Sequence, residues 1–193
     1  ECGVFNKFYA GKRVFVTGHT GFKGAWLTKW LLQMGAEVGG YSVDIPSEPS
    51  LFVELDLKKD MHHHMGDVRN FDELKKQMGE FRPDVVFHLA AQAYVRRSYA
   101  DPVNTFSTNL MGTVNLLEAI RGVKSVQSAV IVTTDKCYLN NETGKPFVED
   151  DKLGGSDPYS ASKATAEIAF SSYYKSFFAS GQGARIGSAR AGN

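Results

Sequence analysis

The sequence predicts an α/β fold in which a doubly wound parallel sheet is covered by helices on both faces. Apolar segments rich in β-branched residues alternate along the chain with segments of helical periodicity, which is typical of this arrangement. The chain has 193 residues, of which 42% are hydrophobic and 22% charged, so it is long and apolar enough to bury one core. We therefore expect a single domain over residues 1–193.

The expected elements follow in order along the chain. The first βα unit has a strand at residues 13–17, a glycine-rich turn, and a helix carrying Leu27, Trp30, Leu31 and Met34 at helical spacing. Further strands are expected at residues 37–43, near Met65, and at 84–89, 129–134 and 185–189. Helices are expected from Asn70 as N-cap to about Met78, over about 102–122 with one apolar face, and from 159 to about 178. Ligands of such a sheet bind at the carboxyl ends of its strands.

The turn at residues 17–24, TGHTGFKG, carries the strongest binding signal. Without a Cβ atom, Gly18, Gly21 and Gly24 let the backbone approach a pyrophosphate, and the following helix N-terminus offers free N–H groups. Asp44 lies 20 residues after Gly24, where an acid binds the ribose hydroxyls and repels a 2′-phosphate. The pattern predicts a Rossmann-type NAD-binding domain, with NAD favoured over NADP. A tight turn and a solvated acid are the alternative interpretation.

Tyr159 and Lys163 form the candidate catalytic pair. They are four residues apart at the start of a predicted helix, so their side chains project from one face. A nearby ammonium group and a bound nicotinamide cation both favour the phenolate of a tyrosine, which then accepts the proton of a substrate alcohol. Thr133 and Thr134, at the end of a strand, offer hydroxyl groups to the same substrate oxygen. The alternative is a solvated tyrosine and lysine on a helix surface.

These motifs resemble, in kind and order, those of the extended short-chain dehydrogenases, the family of NAD-dependent epimerases and dehydratases. The resemblance covers nearly the whole chain. It rests on TGHTGFKG, Asp67-Val68, HLAAQ at 88–92, Asn109, TDK at 134–136 and YSASK at 159–163. Three local strings, TTDKCY at 133–138, FKGAWL at 22–27 and EPSLF at 48–52, are most similar to CDP-glucose 4,6-dehydratases.

The resemblance implies roles for individual residues. The implied cofactor-binding set is Gly18, Thr20, Gly21, Phe22, Lys23, Gly24, Asp44, Asp67, Val68, Leu89, Ala90, Ala91, Gln92, Asn109, Thr133, Tyr159 and Lys163. The implied substrate-binding residues are Gln92, Thr134 and Asn193, and the catalytic residues are Thr134, Asp135, Lys136, Tyr159 and Lys163. Arg96 and Arg97 either face substrate phosphates or form a surface pair.

The implied reaction converts CDP-glucose to CDP-4-keto-6-deoxyglucose. Tyr159 takes the proton of the sugar 4-hydroxyl as NAD accepts the C4 hydride, and Lys163 holds the nicotinamide ribose. Water is then lost across C5 and C6, with Asp135 protonating the departing 6-hydroxyl, and the hydride returns to C6, so the net reaction is that of a lyase. Related dTDP-glucose dehydratases carry Glu where this chain has Lys136, so the C5 base stays open. Lys136 suits that role only if burial or a neighbouring cation makes it neutral, and otherwise it orients substrate.

Composition excludes several other classes of protein. A net charge of +1 argues against a nucleic-acid binder. No apolar run approaches the roughly 18 residues that span a bilayer, and residues 1–11 lack a signal-peptide pattern, so we expect a cytoplasmic protein. Cys2 and Cys137 are far apart, which predicts a packed thiol at Cys137 rather than a disulfide or structural zinc. The triplet at residues 62–64 predicts a partly exposed strand and no metal site, because neighbouring side chains in a strand face opposite ways.

Two other functions fit the same residues. A nucleotide-sugar 4-epimerase or GDP-mannose-type dehydratase shares the glycines, Tyr159 and Lys163, although Asp135 favours a dehydratase because an epimerase expels no 6-hydroxyl. A non-catalytic nucleotide-binding or dimerising module is the third hypothesis. By resemblance, the helices near 102–121 and 159–178 form a homodimer interface. The chain opens without Met and ends at Asn193 after an apolar segment, so we expect a fragment whose C-terminal substrate domain is largely missing.

Overall fold

A computed structural model describes residues 4–192, and its central feature is a six-stranded parallel sheet. The strands are β1 (Arg13–Thr17), β2 (Glu37–Ser42), β3 (His62–Met65), β4 (Val85–His88), β5 (Ser128–Thr134) and β6 (Arg185–Ala191). Their order is β3-β2-β1-β4-β5-β6, with every pairing parallel. The order reverses between β1 and β4, where a doubly wound sheet opens a crevice for a ligand. The predicted fold class is confirmed.

Helices and short helical turns connect these strands. The α-helices are α1 (Phe22–Gln33), α2 (Leu51–Glu54), α3 (Phe71–Phe81), α4 (Val95–Ala100), α5 (Pro102–Phe106), α6 (Gly112–Gly122) and α7 (Pro158–Tyr173). Two π-helical turns join α5 to α6 and extend α7, at Ser107–Met111 and Tyr174–Phe178. Three 3-10 turns lie at Val4–Lys7, Leu57–Lys59 and Asp135–Cys137. In the described part of the chain, no helix has the length and apolarity to cross a bilayer.

Three of the helices begin where a short polar side chain caps them. Asn70 Oδ1 accepts a hydrogen bond of 3.2 Å from the backbone N–H of Glu73, which confirms the predicted start of α3. Asp101 and Asp157 cap α5 and α7 in the same way. The end of α3 lies beyond the prediction, because Met78 and Phe81 are both buried and packing continues the helix by three residues.

Four expectations about elements are corrected. A short helix, α2, interrupts the loop expected between β2 and β3, and α4 was not expected at all. The strand β6 continues to Ala191, because it pairs with β5 along its whole length. The apolar face expected on the helix over 102–122 is largely uncovered at its start, where Val103 is 79% exposed, whereas Leu116 and Leu117 are buried on the sheet.

Two apolar clusters sandwich the sheet and hold its carboxyl edge in place. Phe15 of β1 faces the cluster that contains Leu74 and Leu116, from α3 and α6. Its neighbours Val14 and Val16 face the opposite cluster, which α1 closes with Leu31. Because β1 is buried on both faces, the turn that follows it emerges at the middle of the carboxyl edge.

Candidate dinucleotide and catalytic site

A cleft of about 490 Å³ opens at the carboxyl edge of the sheet. Most of the predicted cofactor residues line it: Gly18, Thr20, Gly21, Phe22, Lys23, Gly24, Asp44, Asp67, Val68, Leu89, Ala90, Ala91, Gln92, Thr133, Tyr159 and Lys163. Asn109, Thr134, Asp135 and Lys136 are not part of its wall. Asn193 lies outside the described residues. The structure therefore brings the glycine-rich turn and the Tyr–Lys pair to one cavity.

The three glycines of the turn have different physical reasons for lacking a side chain. Gly18 has φ +74°, and a Cβ there would lie 2.7 Å from the backbone nitrogen of Ala90. A Cβ at Gly24 would overlap the carbonyl of Gly18, so that glycine is required for α1 to pack against the turn. Gly21 is different, because the nearest protein atom to its Cβ position is Gly18 O at 3.4 Å. Only a ligand that approaches the turn closely would need a glycine at that position.

The N-terminus of α1 faces this turn. Gly21 is its N-cap, and no side chain among residues 4–192 caps it. The first N–H groups of an uncapped helix are donors without an intrahelical partner, and the helix dipole favours an anion beside them. The turn thus fits the pyrophosphate of a dinucleotide.

Two acids follow β2 and β3 on the opposite wall. Asp44 is exposed on the cleft, and its backbone carbonyl accepts a 2.6 Å hydrogen bond from the hydroxyl of Thr20. Asp67 is held by Arg69, whose backbone N–H lies 2.9 Å from one carboxylate oxygen. The guanidinium of Arg69 bonds the same carboxylate, and these bonds lower the pKa of Asp67. Both acids therefore present negative charge where the predicted ribose and adenine contacts lie.

Asn109 organises the loop after β4 rather than the cleft itself. It is 1% exposed, and its Oδ1 accepts a 2.9 Å hydrogen bond from the backbone N–H of Gln92. Its Nδ2 donates to the carbonyl of Gln92 and to the hydroxyl of Ser162 on α7. The Gln92 side chain is itself bonded to Tyr94 and Thr105. Direct cofactor or substrate contacts by Asn109 and Gln92 stay predictions, and the geometry gives both residues a positioning task.

A buried chain of hydrogen bonds joins β1 to β4 beneath the cleft. Thr113 donates to the carbonyl of Asn109, so it must accept from Nε2 of His88 at 3.2 Å. Nδ1 of His88 then accepts from the Thr17 hydroxyl at 2.7 Å, and Thr17 accepts from the backbone N–H of Ala90. Burial, with a smaller effect from Lys163, lowers the pKa of His88 to about 3. This histidine is a neutral part of the scaffold.

The Tyr159–Lys163 pair projects from the first turns of α7. Burial raises the pKa of Tyr159, a hydrogen bond with Thr134 opposes that rise, and the charge of Asp135 adds to it. Burial lowers the pKa of Lys163 to about 8, against the attraction of Glu167. The lysine is therefore mostly cationic at neutral pH, and the tyrosine is a neutral phenol.

The turn at residues 134–136 lies beside the tyrosine. Thr134 Oγ1 donates to Asp135 Oδ1 at 2.9 Å and accepts from the backbone N–H of Lys136 at 3.3 Å. Asp135 is half-buried, whereas Lys136 is exposed. Lys136 therefore lacks the burial that it would need in order to act as the C5 base.

Sequence reasoning missed several residues of the site. Ser42, Gly66, Arg69, Tyr94, Asn104 and Thr108 also line the cleft, as does Arg97, whereas Arg96 does not. Gly66 is recognisable in the sequence as a glycine, but the reason that it lacks a side chain is visible only in the structure. A Cβ there would strike the ring of Tyr41. Glu167 could have been predicted as a neighbour of Lys163, since it lies four residues later on the same helix face.

The remaining expectations concern cysteine and histidine. Cys137 is buried with a pKa raised to about 11, mainly by burial, so the prediction of a packed thiol is confirmed. Cys2 lies outside the described residues. The three histidines of β3 have different partners, Glu37, His19 and Glu73. Within residues 4–192 no group of three His, Cys, Asp or Glu side chains is arranged to bind a metal ion.

Comparison with known proteins gives several matches. Residues 15–181 match the family described as GDP-mannose 4,6 dehydratase. A CDP-glucose 4,6-dehydratase of Salmonella typhimurium is 50% identical over 194 residues, covering 98% of this chain and 54% of the relative. A UDP-glucose 4-epimerase of Mycolicibacterium smegmatis is 33% identical, covering 83% of this chain and 51% of the relative.

Solved structures share the fold. The crystal structure of Thermus thermophilus UDP-glucose 4-epimerase in complex with NAD is 32% identical, with a TM-score of 0.77. The match covers 92% of this chain and 54% of that one. The chain spans about half the length of the curated relatives it matches.

Proposed function

Because the chain belongs to the GDP-mannose 4,6 dehydratase family, whose members include NAD-dependent epimerases and dehydratases, we propose that it is the cofactor-binding part of a nucleotide-hexose 4,6-dehydratase. The proposed substrate is CDP-glucose, and the support for that choice is the 50% identity to the Salmonella dehydratase. The proposed product is CDP-4-keto-6-deoxyglucose, a precursor of deoxysugars of cell-surface polysaccharide. A cytoplasmic location stays a prediction.

The observation that carries the proposal is the position of an acid beside the tyrosine. Asp135 lies close enough for its charge to raise the pKa of Tyr159, and its Oδ1 accepts a 2.9 Å hydrogen bond from the hydroxyl of Thr134, which also affects the pKa of the tyrosine. An alcohol oxidation needs only Tyr159 and Lys163. Loss of a hydroxyl group also needs a proton donor near the same sugar, and Asp135 is the group placed to supply it.

NAD fits the cleft by the shape of the turn at Gly18, Gly21 and Gly24. When bound, NAD supplies the acceptor and later the donor of the sugar hydride. Of the chain's own residues, we assign to Lys163, four positions along the same helix, the positive charge that favours the Tyr159 phenolate when substrate and cofactor are bound. Asp135 then protonates the departing 6-hydroxyl. We give Lys136 a substrate-orienting role, because its exposed ammonium is unsuited to removing the C5 proton.

The test uses the full-length protein that carries this chain. It is incubated with NAD and, in parallel, with CDP-, dTDP-, UDP- and GDP-hexoses, and the alkali-shifted absorbance of a 4-keto-6-deoxy sugar is measured. We expect a signal with CDP-glucose alone. Inversion at C4 with any donor would support the epimerase hypothesis instead, which the 33% identity to the Mycolicibacterium enzyme keeps in view.

A variant separates the two steps of the reaction. D135N should abolish elimination while C4 oxidation continues, so reduced cofactor accumulates and no 4-keto-6-deoxy product forms. D150N, at an exposed acid of the following loop, is the matched control and should leave both steps unchanged. Normal turnover of D135N would contradict the dehydratase assignment.

We also propose a homodimer through the helices near 102–121 and 159–178. Its support is a group of large apolar side chains exposed on these helices, among them Val103, Met111, Ile168 and Phe177. The helices that carry them pack against each other, and exposed apolar side chains gathered on neighbouring helices are typical of an association site. Sedimentation should give a dimer, and I168E should give a monomer that still folds. If the unsubstituted protein is a monomer, the dimer proposal is wrong, and that result favours none of the other functions considered.

A further inference from the structure

The three consecutive histidines of β3 have three separate tasks. His62 Nε2 lies 2.9 Å from Glu37 Oε1, and His64 Nε2 lies 3.2 Å from Glu73 Oε1. His63 points to the opposite face of the sheet, where its Nδ1 lies 2.7 Å from Nε2 of His19. Only the middle histidine therefore reaches the glycine-rich turn, since His19 belongs to that turn.

His19 is built into the turn. It is fully buried between Gly18 and Thr20, and its ring meets the ring of Phe52 edge-on at a centroid distance of 5.3 Å. Gly40 of β2 leaves room for it, because a Cβ there would lie 2.5 Å from the His19 ring. Its position is consequently fixed by packing, and only its protons are free to redistribute.

The hydrogen bonds of Thr20, Ser42, His19 and His63 form a chain from the glycine-rich turn to the protein surface. Ser42 Oγ accepts from the backbone N–H of Thr20 at 3.4 Å and lies 2.8 Å from Nδ1 of His19. With the Ser42 hydroxyl donating to Nδ1, the His19 proton sits on Nε2 and is donated to Nδ1 of His63. Ser42 lines the cleft, so the chain of bonds runs from the cleft wall to half-buried His63.

We propose that His63 is a positioning residue for the dinucleotide-binding turn, acting through His19 and Ser42. Protonation of His63 turns its Nδ1 from an acceptor into a donor, so two N–H groups would face each other across the 2.7 Å contact. His19 then carries its proton on Nδ1 and donates it to Ser42 Oγ, whose own hydroxyl proton turns toward the cleft. Ser42 Oγ now accepts from both His19 and the Thr20 N–H, which weakens the 3.4 Å hydrogen bond to Thr20. The turn becomes less well held at Thr20 and binds the dinucleotide less tightly. This inference rests on the proposed NAD site.

The surroundings keep His19 neutral and make His63 the group that titrates. Burial, and to a lesser extent His63, lower the pKa of His19 to about 3, against the opposing effect of a hydrogen bond with the backbone of Tyr41. Burial, then Lys58 and His64, lower the pKa of His63 below its usual value. The groups facing the pair are thus Lys58 of the 3-10 turn, His64 of β3 and the Tyr41 backbone of β2, while α2 presents uncharged Phe52.

The first test measures NAD affinity against pH by calorimetry. We expect the Kd of the unsubstituted chain to rise about fivefold as pH falls through the titration of His63, the effect of one lost hydrogen bond. H63N keeps an acceptor near the Nδ1 position but has no proton to gain. Its Kd should therefore match that of the unsubstituted chain at about pH 7, where Lys163 is already mostly cationic, and should stay unchanged at lower pH. H62N and H64N are matched controls that should retain the pH dependence. A pH dependence that survives in H63N would overturn the proposal.

The second test does not depend on NAD. Long-range ¹H–¹⁵N spectra of the imidazole groups report which ring nitrogen carries the proton. We expect the proton of His19 to move from Nε2 to Nδ1 with the midpoint at which His63 titrates, and to stay on Nε2 in H63N. A His19 tautomer that is constant throughout the titration of His63 would overturn the relay. If the tautomer moves but NAD binds at no pH, the relay is supported and the proposed cofactor site is the part that fails.

Discussion

Glu167 Oε2 of α7 lies 2.9 Å from Nη2 of Arg190 of β6, forming an ion pair beside the catalytic edge of the sheet. The Glu167 carboxylate is buried, and its other oxygen accepts a short hydrogen bond from the hydroxyl of Thr133. Arg190 also bonds the hydroxyl of Tyr138 at 2.9 Å. The pair therefore locks α7, with Tyr159 near its start, onto the ends of β5 and β6.

We expect E167Q to destabilise the chain by about 3 kcal/mol, because it removes one partner of a largely buried ion pair and leaves the guanidinium uncompensated. Urea unfolding at neutral pH measures the change. Glu118 and Arg121 form an exposed pair on α6, so E118Q is the control and should change stability by at most about 0.5 kcal/mol. Equal effects of the two substitutions would show that burial of the Glu167 pair has no energetic importance.

Local patterns predicted the sheet, the cap of α3 and the glycine turn, because each depends on residues close in sequence. Asn70, for example, caps α3 through a bond to Glu73 three positions away. The polar networks escaped prediction because they join distant segments. Arg190 lies one residue beyond the strand expected at 185–189, but β6 extends over it, and its guanidinium pairs with Glu167, 23 residues earlier.

The roles of individual site residues were harder to predict than their presence near the site. Thr20 was expected to bind cofactor, and it lines the cleft while its side chain ties the turn to the end of β2. Asn109 was assigned to the cofactor, yet all its side-chain hydrogen bonds go to Gln92 and Ser162. Whether a buried amide contacts a ligand or supports a loop depends on tertiary distances that spacing does not encode.

Two glycine substitutions separate packing from ligand approach. G24A should lower stability by about 2 kcal/mol, since its methyl group would overlap the Gly18 carbonyl and displace α1. G21A should cost less, about 1 kcal/mol for an alanine at the N-cap, because its methyl group meets no atom closer than 3.4 Å. NAD affinity should nevertheless fall at least about tenfold in G21A if a pyrophosphate lies against the turn. Thermal unfolding and calorimetric titration with NAD measure the two effects, and unchanged NAD binding by G21A would place the pyrophosphate elsewhere.

The buried amide of Asn109 gives a third prediction. N109A leaves the backbone N–H and carbonyl of Gln92 without their partner, and it should cost about 2 kcal/mol of unfolding free energy. Since the loop after β4 forms one wall of the cleft, NAD affinity should fall as well. N141A, at an exposed residue of the loop before α7, provides the comparison and should leave both stability and NAD affinity nearly unchanged. A wild-type unfolding free energy for N109A would show that water replaces these bonds without loss.

The charge of Lys163 makes stability depend on pH in a definite direction. Its folded pKa of about 8 lies below the ordinary value of 10.5, mainly because the ammonium is buried. Between these two pH values the unfolded chain holds a proton that the native chain lacks, so the free energy of unfolding should rise with pH, by up to about 3 kcal/mol.

K163M removes this rise and should be more stable than the unsubstituted chain at pH 7 by about 1–3 kcal/mol, while the full-length protein loses activity. Urea unfolding at successive pH values tests both statements, with K175M at an exposed lysine as control. A destabilised K163M would mean that the attraction of Glu167 outweighs the burial of the charge.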